Sequence, residues 1–261
     1  MESKKEHSNN GQAQLDYKQL ADAVYYRKST RNYADTAVDI LQADGDLVKA
    51  FGLISLCPNL KTAVRVLQSH EVNNKKAKYC IGFFSEDKPF APENIGFVGQ
   101  LLDLHLQSKG VATCWWGMKK PKKEFKRDGE LNCLITMMAG RGKEEQSRQY
   151  PNDFRRKKAA DIVVYGDFLD DKLVEAVRLA PSAVNRQPWL IGKDGNRYNF
   201  YLKNSLSPLD LIIGDMRRID LGIALAHLFV AAKADGYGVE FDFKGNDSGG
   251  NKFIAGVKVR K

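Results

Sequence analysis

Two segments of this chain repeat each other at one fixed separation, and that repeat restricts the fold more than any other feature. DLVKAFGLISLCPN (46 to 59) aligns without a gap on KLVEAVRLAPSAVN (172 to 185), an offset of 126 residues. Leu47 falls on Leu173, Val48 on Val174, Ala50 on Ala176, Leu53 on Leu179 and Asn59 on Asn185. The same offset sets GFVGQLLDLHLQSKGVA (96 to 112) on GIALAHLFVAAKADGYG (222 to 238), pairing Gly96 with Gly222, Leu102 with Leu228 and Gly110 with Gly236. Two matches at one offset point to a tandem duplication of a unit of roughly 120 residues. The halves fall near 15 to 150 and 151 to 261, after a polar tail over 1 to 14 that is expected to be disordered.

Each half carries the same grammar. A short amphipathic helix is expected first (47 to 54; 171 to 180), then a longer apolar helix (about 95 to 109; 216 to 235) that stops at a glycine. KYCIGFFS (78 to 85), VATCWW (111 to 116) and LNCLITMMAG (131 to 140) read as strands of the first half. WLIG and RYNFYLK around a KDGN turn, then GVEFDFK and FIAGVKVR, read as strands of the second. An extra helix over 16 to 27 opens the first half. With no Gly-rich dinucleotide fingerprint, the expected fold class is α+β. Two tandem repeats would form an intrachain pseudo-dimer with central helices and sheets dominated by antiparallel pairing.

Charge and cysteine usage narrow the surroundings. Lys plus Arg is 41 against 32 for Asp plus Glu, a net charge of +9 that favours anionic partners without selecting one. No run approaches the ~18 apolar residues of a membrane span, and the first residues lack a secretory apolar core. Cys57, Cys80, Cys114 and Cys133 are widely spaced, which fits free thiols in a cytoplasmic protein. His70, His105 and His227 are isolated, so no metal is expected. Neither basic cluster is interleaved with aromatics in a nucleic-acid-reading motif, and nucleic acid is ranked last among partners.

Function is sought where the copies diverge. The first half begins with YYRKSTRNY (25 to 33), gathering Arg27, Lys28, Ser29 and Arg31; the second has FRRKKAAD (154 to 161). The second half has PSAVNRQPW (181 to 189), where the first keeps only the asparagine of LCPNLKTAV. Arginine forks suit phosphate oxygens, while basic clusters also serve as solvated surface. Pro181 should end a helix and leave Ser182, Asn185 and Gln187 on a loop. Their side chains suit a heterocycle displaying both donors and acceptors, or local Asx-type turn bonds. Trp189 reads as a core anchor.

RKSTR at 27 to 31, APSAVNRQPW at 180 to 189 and GFVGQLLDLHLQSKGVATCWWGM resemble the FMN-dependent nitroreductase family. The duplicated single chain is similar to its tandem subgroup. The resemblance implies that Arg27, Lys28, Ser29 and Arg31 hold the FMN phosphate and ribityl end. It brings Pro181, Ser182 and Asn185 to the ring with Gln187 nearby, and lays Cys114, Trp115, Trp116 and Gly117 against the central ring. It makes Arg155, Arg156 and Lys157 further cations for the phosphate. Only one composite site keeps both parts, so one FMN per chain is expected. Trp116 stands where many relatives have an acidic residue. The resemblance implies ping-pong reduction of a nitroaromatic, quinone or similar acceptor by NADH or NADPH, with flavin N5 as the reactive centre. No side chain stands out as proton donor. The alternative is an FMN carrier or sensor with little turnover. A monomer is expected, since both partners of the pair lie in one chain.

Overall fold

The computed structural model describes residues 15–41, 51, 54–67, 70–74, 76–117, 121–144 and 147–261. The tail and nearly all of the helix expected at 47 to 54 lie outside the described residues. Helix α1 (Tyr17–Tyr26) starts where Asp16 Oδ1 accepts the N–H groups of Lys18 and Gln19, both at 3.1 Å. The long helices are α2 (Ala91–Ser108) and, after α3 (Lys172–Arg178) and the short α4 (Pro208–Ile213), α5 (Met216–Ala234). Both long helices end on left-handed glycines, Gly110 (φ 72) and Gly236 (φ 79). There Val111 N–H reaches Leu106 O at 2.9 Å and Tyr237 N–H reaches Ala232 O at 3.0 Å, closing each last turn.

The strands form two five-stranded sheets. In the first, β1 (Thr62–Leu67), β2 (Tyr79–Ser85), β5 (Leu131–Gly140) and β3 (Ala112–Trp116) follow one another, with the short β4 (Arg127–Asp128) on β5. In the second, β7 (Trp189–Asp194), β8 (Arg197–Leu202), β10 (Lys252–Arg260) and β9 (Gly238–Asp242) take the corresponding places, and β6 (Val163–Tyr165) joins β7 in parallel. Every other pairing is antiparallel. Strands β1, β4 and β6 and helix α4 were not expected from the sequence.

Helix α2 packs on β2 and β3, α5 packs on β7, β8 and β9, and the two helices pack on each other between the sheets. Their crossing is a backbone contact. A Cβ on Gly96 would stand 2.0 Å from Ile219 O, and one on Gly222 would stand 1.9 Å from Glu93 O. Residue 219 is 126 beyond 93 and residue 222 is 126 beyond 96, so the contact is reciprocal at the repeat offset. A two-fold-related pair makes contacts of this kind. One large core runs through helices and both sheets, with Trp189 fully buried in it. Among the described residues, no helix is long and apolar enough to cross a membrane.

Candidate functional site

The RKSTR segment leaves α1 at Arg27 and runs beside β3, where Thr30 N–H donates to Thr113 O at 2.9 Å. It is held from below by one polar face of α2. Gln100, Asp103 and Gln107 recur at i, i+3 and i+7 and are all buried. Arg27 is fully buried; its Nε donates to Asp103 Oδ2 at 2.9 Å and its Nη2 to Ser29 Oγ at 3.2 Å. Gln107 Nε2 donates to Asp103 Oδ1 at 3.0 Å and to Thr113 Oγ1 at 2.8 Å, while its Oε1 accepts Lys28 N–H at 2.9 Å. Thr113 Oγ1 also donates to Asp103 Oδ1.

Gln100 carries the network to the far side. Its Nε2 donates to Asp103 at 2.9 Å and to His227 Nε2 at 3.1 Å, and its Oε1 accepts Trp115 Nε1–H at 3.0 Å. His227 Nδ1 then donates to Ala176 O at 2.8 Å. Burial pushes the His227 pKa down to about 3, so the imidazole is neutral, as these roles require.

The loop after Pro181 is tied down by its own polar side chains. Ser182 Oγ accepts Gln187 N–H at 2.8 Å. Gln187 Oε1 accepts Lys157 N–H at 2.8 Å, and its Nε2 donates to Asn185 O at 3.1 Å. Asn185 Nδ2 donates to Arg155 O at 2.9 Å while its Oδ1 accepts Arg156 Nη1 at 2.6 Å. These bonds are partly local, yet they reach the 155–157 segment 30 residues away. The loop bends sharply: Val184, Asn185 and Gln187 have φ of 43°, 59° and 48°. A β-branched valine there is costly, and such strain is stored preferentially at binding sites.

Three adjoining hollows share this loop as a wall. An inner cavity of about 110 Å³ brings Ser29, Arg31, Cys114, Trp115 and Gly117 against Pro181, Ser182 and Asp220. An open basin of about 640 Å³ holds Lys28, Arg148, Arg155, Arg156 and Asn185. A second basin of about 460 Å³ holds Lys157, Arg186, Lys203 and Arg217, and no carboxylate lines it among the described residues. In the first basin the Arg148 and Arg156 guanidinium groups lie 4.4 and 5.8 Å from the Phe154 ring. Burial, and then repulsion from Arg27, holds their pKa values down to about 10 and about 9.

The structure therefore divides the predicted site residues. Arg27 lines none of these three hollows; it is paired with Asp103 beneath the RKSTR segment. Lys157 stands apart from Arg155 and Arg156, its Nζ donating to Arg186 O at 2.8 Å and Gln187 O at 3.0 Å in the second basin. Gln187 is buried against Lys157, and Trp116 packs beside the cluster of Tyr33, Ala112 and Met138. Cys114 lines the inner cavity with its thiol pKa pushed up by burial, a neutral apolar neighbour. Among the described residues, no three His, Cys, Asp or Glu side chains gather as metal ligands.

Asp220 is the residue that sequence reasoning missed. It lies on α5, is 3% exposed, and its Oδ1 and Oδ2 both accept Ala183 N–H, at 3.0 and 3.1 Å. Burial raises its pKa to about 8, against the opposing pull of the Ala183 N–H and Arg217. The folded chain thus holds this proton where the unfolded chain has released it. The resulting stabilisation is complete below pH ~4 and is lost as pH rises towards 8, by up to about 1.4 kcal/mol per pH unit. Asp220→Asn should remove this slope. Urea unfolding from pH 5 to 9 should then show the variant gaining on the parent as pH rises; parallel curves would refute the assignment.

The positions 126 away from the inner cavity are filled. Trp115, Gly117 and Ile223 correspond to Phe241, Phe243 and Phe97. Phe97 packs on Phe241 at 5.6 Å and Phe243 on Phe90 at 4.9 Å, while Phe229 stands at the position equivalent to Asp103. Aromatic packing occupies this side, so the open cavity lies on the other.

The same architecture occurs in known proteins. The chain superposes on the crystal structure of a putative nitroreductase from Thermotoga maritima with TM-score 0.64 at 18% identity, over 98% of this chain and all of that one. A nitroreductase family protein from Clostridium difficile 630 matches with TM-score 0.45 at 19% identity, over 59% of this chain and 99% of that one. An FMN-dependent nitroreductase from Clostridium difficile R20291 matches with TM-score 0.40 at 14% identity, over 53% and 94%. No curated protein matches. The model of the family described as "Putative TM nitroreductase" matches residues 19–232, from α1 through nearly all of α5, and the chain belongs to that family.

Proposed function

We propose that this chain is an FMN-dependent NAD(P)H oxidoreductase that reduces nitroaromatic, quinone or similar small acceptors by a ping-pong mechanism. The observation that carries the reading is the meeting of Ser29 and Arg31 with Pro181 and Ser182 across one cavity, although some 150 residues separate them in sequence. The donor set suits the cofactor. Lys28, Arg155 and Arg156 offer cations for a phosphate, and Ser29 and Arg31 offer donors beside Trp115 and the backbone of Gly117. Bound there, FMN would supply the hydride chemistry while the protein binds and orients it.

The inner cavity alone is smaller than the ~300 Å³ at which small-molecule sites begin. FMN would need the inner cavity together with the adjoining first basin, with the Asn185–Arg156 bond open. The second basin, rich in cations and bordered by Val184 of the cavity wall, suits the phosphates of the nicotinamide donor. The phenylalanines at the equivalent positions support one site per chain. The reciprocal Gly96 and Gly222 contacts at the 126-residue offset support a tandem duplication in which halves 15 to 150 and 151 to 261 act as one intrachain pair, and on that reading the chain works as a monomer.

The test is direct. Protein reconstituted with FMN and desalted should retain one flavin per polypeptide by its blue absorbance, and NADH or NADPH should bleach it. Two flavins per chain would defeat the single-site reading. Tight flavin with no bleaching would favour a carrier or sensor, for which Trp116 in place of an acid is the supporting feature.

A further inference from the structure

Asp220 has a counterpart that does the same structural work without a charge. Residue 94, at the equivalent position 126 residues earlier, is an asparagine. Asn94 Oδ1 accepts the N–H groups of Leu56 at 2.7 Å and Cys57 at 3.3 Å. Cys57 in turn stands 126 residues before Ala183, whose N–H Asp220 accepts. One helix position therefore pins one loop position in both halves, and a neutral amide suffices in the first. Burying a carboxyl where an amide would serve is unfavourable in itself. The two sites differ in what they face: the Asn94 side is closed by phenylalanines, and Asp220 lines the open cavity.

We propose that Asp220 is the proton donor of the inner cavity, giving its carboxylic proton to an acceptor reduced there. This deepens, and rests on, the reading of the cavity as a flavin site. For a quinone-type acceptor, bound FMN would supply two electrons and one proton as hydride. The second proton comes from Asp220. Its O–H bond breaks as a new O–H bond forms on the acceptor oxygen, and a hydroquinone leaves. The carboxylate left behind keeps the Ala183 N–H as donor. It has Arg217 on its own helix and Arg31 across the cavity as the cations that face it, and solvent returns the proton. The Cys114 thiol, also in the lining, is held neutral by burial and does not compete. Position 220 thereby supplies the acid that the sequence lacks at Trp116.

Two measurements on the full chain decide the matter. Carboxyl carbon-13 spectra of aspartate-labelled protein, with Asp220→Asn as the assignment control, should show Asp220 protonated at pH 7. This readout needs no flavin. In stopped flow, oxidation of the pre-reduced, FMN-loaded protein by a quinone should slow by about 10²- to 10³-fold in Asp220→Asn. The parent's loss of rate on raising pH through the Asp220 titration should be absent in the variant. A merely structural role would leave that pH limb in place. Asp220 ionised at pH 6, or variant oxidation within about twofold of the parent, overturns the proposal. If FMN does not bind, the flavin reading falls by itself. The carbon-13 titration then stands alone, and a proton retained at pH 7 still identifies a buried acid facing the cavity.

Discussion

Replacing Asp103 with asparagine should cost about 3–5 kcal/mol of stability, the usual penalty for stripping one partner from a buried ion pair. Arg27 is fully buried, its ion pair is with Asp103, and its Nη1 already has no hydrogen-bond partner among the described residues. In Asp103→Asn the guanidinium stays charged and loses its compensating carboxylate. Thr113, Gln107 and Gln100 lose part of a shared acceptor at the same time. The double change Asp103→Asn with Arg27→Met should recover much of the loss, because it removes the uncompensated buried charge and keeps an amide oxygen as acceptor for Gln107 and Thr113. Urea midpoints for the parent, the single variant and the double variant provide the check. A single variant within about 1 kcal/mol of the parent would show that Arg27 is compensated elsewhere.

An effect of similar size is expected at the helix crossing. Gly222→Ala would put a methyl carbon 1.9 Å from Glu93 O and 2.9 Å from Phe97 N, and Gly96→Ala would put one 2.0 Å from Ile219 O. These obstacles are backbone atoms and cannot rotate away, so α2 and α5 must move apart along a close-packed seam. A loss of about 3 kcal/mol or more is expected for either change. Gly238→Ala, whose added carbon meets nothing nearer than Arg260 O at 3.7 Å, should stay within about 1 kcal/mol. Equal thermal midpoints for Gly222→Ala and Gly238→Ala would contradict the packing. Each of the two helices also holds one wall of the cavity: α2 holds the RKSTR segment through Asp103, and α5 holds Ala183 through Asp220.

Elements whose period and stop signals agreed were legible from the residues alone. LNCLITMMAG forms β5 over the expected residues, and both long helices end at the expected glycines. Strand β1 was missed because Thr62 and Arg65 interrupt its apolar pattern, and only two of its six positions are buried. Strand β6 is three residues long with two of them exposed, and it exists through its parallel partner β7.

The site was legible as two motifs but not as a division of labour. Arg27 looked like a ligand for an anion because nothing local reveals that Asp103 lies beneath it. The signal was present in the spacing of Gln100, Asp103 and Gln107 along an otherwise apolar helix. Asp220 was invisible for the opposite reason. A carboxylate near a helix start normally faces water, and only tertiary packing seals this one.

The two walls of the inner cavity, Ser29 to Gly117 on one side and Pro181 to Asp220 on the other, belong to a single polypeptide. A pocket assembled between separate chains empties when they part on dilution, at a point set by their affinity. Here the covalent link fixes the local concentration of one wall about the other, whatever the abundance of the protein. Scarcity in the cell therefore cannot take this pocket apart.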